Sequence, residues 1–303
     1  MTDPSREKQG LSVNPNPLSE TRAKGEKPPQ AQPWPGHEAK MRPTPDHGEE
    51  SYQGANKLLG RKALVTGGDS GIGRAIAIAF AREGADVAIA YYNEHDDAQE
   101  TLRWVRKAGR KGLAIQGDLS NPAHCKEVIQ QVVEEFGGLD LLVNNAGRHT
   151  EQADLTGITP EQLETTFRTN FFSAVWLTQA ALPQMEAGSV ILNTGSVTGL
   201  VGSPTLIDYA ATKAAMHNFT KSLSKQLAPR GIRVNCVAPG PVWTPLIVST
   251  RPDEKVAHFG DESLWKRPAQ PAELAPSYVF LASSDARYYT GEVLSPTGEE
   301  TTR

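Results

Sequence analysis

From residue 58 onward, short apolar segments alternate with longer segments whose apolar residues recur at helical spacing. This alternation constrains the fold more than any other feature of the chain, because strands separated by helices are joined by crossovers and run parallel. We predict strands at 61–66, 85–91, 112–117, 139–143, 189–193, 232–237 and 292–294, and helices at 72–83, 95–109, 121–136, 159–185, 206–227 and 271–283. The pattern predicts one α/β domain with a doubly wound parallel sheet of about seven strands and helices on both faces.

The first 55 residues differ from the rest in composition. Eight prolines lie between Pro15 and Pro45, and apolar residues are scarce. Such a segment cannot bury enough surface to offset its ordering entropy by itself. We therefore divide the chain into a proline-rich polar extension at 1–55 and a folded domain at 56–303. Residues 34–52 contain the candidate anchors Trp34, Met41 and Tyr52, and we expect this segment to pack as an extended arm on its own domain or on a neighbouring subunit.

Composition argues against several classes of protein. The formal net charge is −4 and no long basic run is present, which argues against a nucleic-acid-binding surface. No segment approaches the roughly 20 apolar residues that cross a bilayer, and the N-terminus lacks the apolar core of a secretory signal. Cys125 and Cys236 form no CxxC pair and are interpreted as buried, reduced thiols of a cytoplasmic protein. The histidines show no metal-ligand spacing, so we predict no metal site.

The first predicted strand runs into a glycine-rich turn, TGGDSGIG at 66–73, and then into a helix. A dinucleotide site needs a tight turn, close approach of backbone to a pyrophosphate, and a helix N-terminus that faces the anion. The glycine spacing is G-x-x-x-G-x-G rather than G-x-G-x-x-G, but its position between a strand and a helix meets these needs. An ordinary glycine-rich turn is the alternative. We predict a Rossmann-type nucleotide-binding domain.

Two further segments follow predicted strands and so lie at the same edge of the sheet, where open α/β folds bind ligands. The small residues of NNAG at 144–147 would let an adenosine or ribose approach closely. The Asp118 carboxylate, beside Leu119, could accept a hydrogen bond from an adenine amino group. Each segment alone could be a plain loop, but with the first turn they predict one cofactor groove.

Tyr209 and Lys213 are four residues apart in a predicted helix and therefore share a face. A nearby ammonium favours a phenolate and lowers the pKa of a tyrosine, which would let the phenol exchange a proton with a carbonyl or an alcohol. This pair is common by chance and would be read as a surface pair without context. Ser196 supplies the context, because it ends the fifth predicted strand and places a hydroxyl at the binding edge.

These motifs, followed by Pro239-Gly240, occur in order in one chain, which resembles the short-chain dehydrogenase/reductase family over about residues 58–298. The resemblance implies that Tyr209 is the general acid/base and that Lys213 lowers its pKa and holds the nicotinamide ribose. It implies that Ser196 orients the substrate oxygen and that Asn170 supports a water-linked proton relay. It implies a mobile substrate loop at 245–265. It implies cofactor contacts at Gly67, Asp69, Ser70, Gly71, Ile72, Gly73, Tyr91, Asp118, Leu119, Asn145, Ala146, Gly147, Tyr209, Lys213, Pro239, Gly240, Val242 and Thr244.

The cofactor is expected to be a nicotinamide dinucleotide. Family members that prefer NAD usually end the second strand with Asp, and here Tyr91 takes that position with Tyr92 after it. No basic residue stands there to bind a 2′-phosphate; Arg74 is close but not decisive, and Glu94 would favour NAD. The sequence slightly favours NADP(H) over NAD(H).

The resemblance implies an enzyme that interconverts a small carbonyl compound, an aldehyde or ketone, with its alcohol. Sugars, polyols and 3-oxoacyl thioesters are further candidate substrates. The longer Tyr-to-Lys spacing of enoyl reductases is absent, which argues against reduction of carbon–carbon double bonds. The alternative is a catalytically silent nucleotide sensor or scaffold on the same fold, and the intact set of four catalytic-type residues argues against it.

Two further expectations rest on resemblance. The proline-rich extension, notably 45–52, resembles that of a bacterial subgroup labelled general oxidoreductases or aldehyde reductases. In the family the helix predicted at 159–185 and the helix that carries Tyr209 often pack across subunits. A homo-oligomer, dimer or tetramer, is therefore expected.

Overall fold

The computed structural model describes residues 16–298. Its seven strands form one sheet in the order β3-β2-β1-β4-β5-β6-β7, and all neighbouring strands are parallel. The strands are β1 (Lys62–Thr66), β2 (Asp86–Tyr91), β3 (Gly112–Gln116), β4 (Leu141–Asn144), β5 (Val190–Thr194), β6 (Arg233–Val237) and β7 (Val293–Leu294). The predicted parallel, doubly wound sheet is confirmed.

Helices cover both faces of this sheet. They are α1 (Gly71–Arg82), α2 (His95–Lys107), α3 (Pro122–Phe136), α4 (Pro160–Phe167), α5 (Ser173–Ala181), α6 (Thr198–Val201), α7 (Ile207–Leu227), α8 (Pro245–Thr250), α9 (Asp253–Ala257) and α10 (Pro271–Ala282). The side chains of α1, α2 and α10 pack in one core cluster, and those of α3, α5 and α7 pack in another. None of the helices within 16–298 is long and apolar enough to cross a membrane.

The two cores meet at β1. Ala63 and Val65 belong to the first cluster and Leu64 to the second, because successive strand residues point to opposite faces. All three side chains are fully buried. A strand buried on both faces is apolar without alternation, which is the pattern the sequence shows at 63–65.

The helix predicted at 159–185 is interrupted. A π-helical turn, Arg168–Phe172, separates α4 from α5, and a 3-10 turn, Leu182–Gln184, follows α5. A π turn holds one extra residue per turn and changes the direction of the side chains it carries. Asn170 lies in this turn, so its position depends on a local irregularity that helical periodicity does not indicate.

Residues 16–60, here called the N-terminal arm, lie across α8 and α9 of the same chain. The backbone N–H of Gln32 donates to the carbonyl of Val248 at 2.8 Å, and that of Lys27 donates to Ala257 at 3.0 Å. The N–H groups of residues 30 and 31 both donate to the Asp253 carboxylate, at 2.8 and 2.7 Å. The segment predicted as a mobile loop therefore contains two short helices that the arm fastens.

Apolar contacts add to these hydrogen bonds. Met41 and Trp243 are fully buried in a small cluster with Ile247, Val248 and Val256. The Trp243 indole Nε1–H donates to the Pro43 carbonyl at 2.8 Å. Trp243 therefore fastens the loop to the arm and does not line the groove.

A buried cluster of charges joins the arm to α1. The Glu38 carboxylate accepts the Gly71 N–H at 3.0 Å and lies 3.5 Å from the Arg74 guanidinium. His47 Nε2 lies 2.6 Å from Glu38, and His47 Nδ1 lies 2.9 Å from Glu49. Arg74 also pairs with Asp97 at 3.2 Å. Arg74, which the sequence placed near the cofactor, is thus engaged by the arm.

The charges of this cluster shift the pKa values of its members. Burial alone would lower the pKa of His47, but the carboxylates of Glu38 and Glu49 outweigh burial and raise it to about 9. Burial would raise the pKa of Glu38, yet the positive charges of His47 and Arg74 hold it below its usual value. The arm is therefore attached through a protonated histidine between two carboxylates.

The stability of the protein should consequently fall at alkaline pH. The folded-state pKa of His47 lies above the unfolded value of about 6.5, so its contribution is complete below about pH 6.5 and is lost as the pH rises through about 9. The contribution is at most about 3 kcal/mol. Urea unfolding at several pH values should show that the wild type is more stable than His47→Gln near neutrality and that this difference disappears as the pH rises through about 9. Parallel pH profiles for the two proteins would contradict the assignment.

Candidate active site

A groove of about 1130 Å³ lies along the edge of the sheet where the strands end. Seventeen of the eighteen predicted cofactor residues, with Tyr209 and Lys213 among them, lie in its wall beside Ser196, and the remaining one, Gly73, lies directly behind it. The predicted residues in the wall are Gly67, Asp69, Ser70, Gly71, Ile72, Tyr91, Asp118, Leu119, Asn145, Ala146, Gly147, Ser196, Tyr209, Lys213, Pro239, Gly240, Val242 and Thr244. Asn170 lies behind the wall.

The turn after β1 is tied to the turn after β4. The Thr66 hydroxyl accepts the N–H groups of Asn145 and Ala146, at 2.9 and 3.0 Å. The Asn145 side-chain amide donates to the carbonyl oxygens of Thr66 and Gly67, at 3.0 and 3.3 Å. The Asn145 side chain thus braces the first turn, and residues 145–147 form the groove floor.

The geometry fits a dinucleotide at this turn. A Cβ on Gly73 would lie 1.8 Å from the Gly67 carbonyl oxygen, so only glycine lets α1 begin so close to β1. The N-cap residue, Ser70, makes no side-chain capping bond, and Glu38 takes the N–H of Gly71 only. The next N–H groups of α1 have no acceptor within the helix, and a helix N-terminus beside the groove favours an anion. A Cβ on Gly147 would project within 3.7 Å of Lys213 Nζ, where a ribose would need room.

Tyr209, Lys213 and Ser196 converge at the middle of the groove. Lys213 Nζ lies 5.4 Å from the centre of the Tyr209 ring and donates to the Thr194 carbonyl at 2.8 Å. The Ser196 hydroxyl accepts the N–H and hydroxyl of Thr198, at 3.2 and 3.0 Å. Ser196 also hydrogen-bonds the Tyr209 side chain. Helix α7 therefore presents the pair, and the end of β5 presents the serine.

Burial dominates the ionisation of this pair. It raises the pKa of Tyr209 to about 12, although the Ser196 hydrogen bond and the Arg251 charge both act to lower it. Burial also lowers the pKa of Lys213 to about 8. Lys213 is not among the groups that shift the pKa of Tyr209 in this geometry, and its expected lowering of the tyrosine pKa stays a prediction. Desolvation disfavours the charged forms of both groups. A positive charge brought into the groove would lower the pKa of Tyr209 and so oppose the effect of burial on that group.

Asn170 reaches toward the groove floor from behind. Its Oδ1 accepts the Arg148 N–H at 2.8 Å, and its Nδ2 donates to the Arg148 carbonyl at 2.8 Å and to the Thr212 hydroxyl at 3.2 Å. The side chain therefore connects the strand end after β4 with α7. Its hydrogen bonds in the structure position the backbone beside Gly147.

The ribose end of the groove carries carboxylates. Asp69, Tyr91 and Glu94 line it, and the Tyr91 hydroxyl lies 2.9 Å from His95 Nδ1. Burial and the Glu94 charge raise the pKa of Asp69 to about 7. Asp118 uses one carboxylate oxygen to accept the Ser120 N–H at 2.8 Å. At this end Arg74 offers no free cation, since it is held by the arm.

A family model described as enoyl-(acyl carrier protein) reductase matches residues 67–298. The chain belongs to the short-chain dehydrogenase/reductase family. The resemblance stated from the motifs is therefore confirmed. The chain is an oxidoreductase of this family that works with a nicotinamide cofactor and a small carbonyl or alcohol substrate.

Similar proteins span nearly the whole chain. A glucose and ribitol dehydrogenase of Daucus carota is 49% identical over 281 residues, which is 90% of this chain and 97% of the relative. An NADPH-dependent aldehyde reductase 1, chloroplastic, of Arabidopsis thaliana is 48% identical over 87% of this chain and 94% of the relative. A short chain dehydrogenase from Burkholderia cenocepacia J2315, solved in complex with NADP, is 33% identical with a TM-score of 0.76, covering 81% of this chain and all of that one.

Several residues that line the groove were not predicted as site residues. Trp34 and Pro35 come from the arm, and Arg251 and Phe259 come from the fastened loop. The Trp34 ring lies 5.4 Å from the Tyr92 ring and 4.7 Å from the Arg148 guanidinium, so it bridges the ribose and substrate ends. The arm reaches the groove only through contacts between segments that are distant in the sequence. The signal in the sequence was one tryptophan in a proline-rich segment.

Three further residues lie near the substrate end. His149 lines the groove, as does Phe259. Trp265 is partly exposed and packs beside Gly298 rather than in the groove.

Proposed function

We propose that the chain transfers a hydride between a nicotinamide and a small carbonyl compound, with Tyr209 as the acid/base. The observation that carries the proposal is the convergence of Ser196, Tyr209 and Lys213 on one point of a groove that accommodates a dinucleotide. For reduction, a nicotinamide dinucleotide bound in the groove would supply the hydride that the carbonyl carbon accepts. Tyr209 gives its phenolic proton to the oxygen, and the alcohol forms.

Each residue then has a separate task. Ser196 holds the substrate oxygen against Tyr209, since its hydroxyl already contacts the tyrosine side chain. Lys213 is fixed by the Thr194 carbonyl and presents its remaining N–H groups to the ribose. The phenol, whose pKa is about 12, holds its proton at neutral pH and is ready as an acid. In alcohol oxidation, the positive charge of the oxidised nicotinamide would favour the phenolate.

Two other functions are less well supported. The description of the matching family model names an enoyl reductase, but Lys213 follows Tyr209 by four residues on one face of α7, the spacing expected for carbonyl reduction. A nucleotide sensor without catalysis would not need Ser196 and Tyr209 in contact. The named relatives, a sugar and polyol dehydrogenase and an aldehyde reductase, also support carbonyl chemistry.

Replacing Tyr209 tests the acid/base assignment. We expect Tyr209→Phe to lower kcat by about 10²–10⁴-fold, the usual contribution of a positioned proton donor, and to leave cofactor binding nearly unchanged. Tyr288→Phe is the matched control, because that tyrosine is 97% exposed. The measurement is turnover of short aldehydes by nicotinamide absorbance, with cofactor affinity followed by fluorescence. Activity of Tyr209→Phe close to that of the control would refute the assignment.

We propose that NADP(H) is preferred over NAD(H). The named relative that uses NADPH and the NADP complex of the solved neighbour support this preference. Tyr91 at the end of β2 adds no charge, and Asp69 can remain protonated near neutral pH. A neutral carboxylic acid donates a hydrogen bond to a phosphate, whereas its ionised form repels it.

This preference should depend on pH. As Asp69 ionises above about pH 7, the ratio of NADPH to NADH affinity should fall by roughly tenfold between about pH 6 and about pH 8.5. Asp69→Asn, which cannot ionise at this position, should keep its affinity for NADPH high over the same pH range. Because the 2′-phosphate still ionises in this variant, the comparison separates the effect of Asp69 from that of the phosphate. Fluorescence titration gives both dissociation constants. A tenfold preference for NADH at low pH would overturn the proposal.

We propose a homo-oligomer, dimer or tetramer, that buries an aromatic surface of the π turn, α5 and α7. The rings of this surface contact one another in series and comprise Phe167, Phe171, Phe172, Trp176 and Phe219. Phe172 is 38% exposed and Leu163 on α4 is 45% exposed. A contiguous exposed apolar surface of this kind indicates an interface.

A charge placed in this surface should weaken association. Phe172→Glu is expected to shift sedimentation equilibrium toward monomer, because an unpaired carboxylate would be buried in the contact. Leu59→Glu is the control, since Leu59 is 67% exposed on another side of the chain. A monomeric wild type, or an unchanged Phe172→Glu oligomer, would contradict the proposed interface.

We also propose a cytoplasmic location and the division of the chain at about residue 55. Cys125 and Cys236 are free and buried, which supports a reducing compartment. Residues 56–303 would be the catalytic domain, and 1–55 would be its extension.

A further inference from the structure

Two polar atoms at the substrate end of the groove are buried without a hydrogen-bond partner among residues 16–298. They are Nδ1 of His149 and Nε of Arg251. Both side chains line the groove beside Tyr209. His149 is only 4% exposed, and its ring packs edge-on against the Tyr209 ring with centroids 5.3 Å apart. Since buried polar atoms are almost always paired in native proteins, these two atoms point to a group on a bound molecule.

The hydrogen bonds of Thr250 fix which ring nitrogen of His149 carries the proton. The Thr250 hydroxyl donates to the Leu246 carbonyl, and it lies 3.4 Å from His149 Nε2. Its single proton is used on the carbonyl, so toward the imidazole it can only accept. The ring proton is therefore on Nε2, and Nδ1 presents a lone pair. Burial, together with the charges of Arg251 and Lys213, lowers the pKa of His149 to about 3 and keeps the ring neutral.

Arg251 is held in place by other contacts. Its Nη1 lies 3.4 Å from the Glu151 carboxylate, which Lys255 shares at 2.6 Å. Its guanidinium lies 5.2 Å from the centre of the Phe259 ring. The Nε–H is left as a donor on a side chain that is already positioned.

We propose that His149 and Arg251 form a subsite for hydroxyl groups of the substrate, so that hydroxylated aldehydes or ketones and the corresponding polyols are selected over unsubstituted ones. The proposal rests on the carbonyl chemistry proposed above for Tyr209. A hydroxyl can donate to Nδ1 and can accept from Nε–H. A carboxylate could accept from Arg251, but it has no proton for Nδ1 and would face its lone pair. An alkyl chain would leave both atoms unpaired, which is costly in a buried site.

Three aldehydes of equal chain length test the selection. They are propanal, 2-hydroxypropanal and 3-oxopropanoate, reduced by the full-length enzyme with NADPH. We expect kcat/KM for 2-hydroxypropanal to exceed that for propanal by about 10- to 100-fold, because sites that hydrogen-bond a hydroxyl reject analogues that lack it. His149→Leu should abolish this preference, because it should lower kcat/KM for 2-hydroxypropanal by a larger factor than kcat/KM for propanal. His149→Gln, which keeps an acceptor, should retain part of it.

Two results would overturn the proposal. One is equal kcat/KM for 2-hydroxypropanal and propanal in a wild type that reduces both. The other is a preference for 3-oxopropanoate that is lost in Arg251→Gln, which would assign the subsite to anionic substrates. Melting temperatures of the variants identify any loss of kcat/KM that comes from unfolding.

A binding measurement separates failure of the subsite from failure of the proposed reaction. In Tyr209→Phe protein labelled with nitrogen-15 histidine and saturated with NADP+, 1,2-propanediol should shift the Nδ1 resonance of His149, while 1-propanol should not. The resonance is assigned by its loss in His149→Leu. A wild type that reduces no aldehyde would refute the reaction, yet a diol-specific shift would still support the subsite. A resonance that neither alcohol moves would refute the subsite.

Discussion

The contact between the ends of β1 and β4 is the constraint on which the groove depends. Thr66 accepts two backbone N–H groups from the turn after β4, and Asn145 returns two hydrogen bonds to the turn after β1. With these ends joined, α1 begins close to β1, and the Gly67 carbonyl occupies the space that a side chain at Gly73 would need. The groove floor and the wall formed by the start of α1 are therefore tied together, and the proposed catalytic groups on α7 and after β5 are positioned against them.

Burial and ion pairing give opposite outcomes in two parts of this protein. In the arm cluster, His47 is buried between Glu38 and Glu49, and the two carboxylates outweigh desolvation and keep it protonated. At Tyr209 and Lys213, no carboxylate is among the groups that shift either pKa, and desolvation raises the pKa of Tyr209 to about 12 and lowers that of Lys213 to about 8. The first arrangement stabilises a fixed charge. The second leaves a pair whose protonation can respond to a charged cofactor.

The sequence predicted the features that periodicity and local spacing determine. Strand and helix periods placed the sheet, and a spacing of four residues placed Tyr209 and Lys213 on one face of α7. Features that depend on contacts between distant segments were not predictable in the same way. The π turn at Asn170 has no distinct period, and the contact of Trp243 with Pro43 joins segments that are 200 residues apart in sequence. The pKa of Tyr209 depends on desolvation, and the extent of desolvation cannot be inferred from the residues next to Tyr209 in the sequence.

The N-terminal arm also orders the loop that contains α8 and α9 at the substrate end of the groove. Helices of five and six residues, such as α9 and α8, are too short to be stable alone, and a loop built from them would lose much conformational freedom on closing over a substrate. Here Gln32, Lys27 and Met41 order the loop before any ligand arrives. Changes in residues 16–45 would thus alter the stiffness of a loop two hundred residues away. Related chains could diverge in substrate breadth and turnover rate through this segment while the helix that carries Tyr209 stays the same.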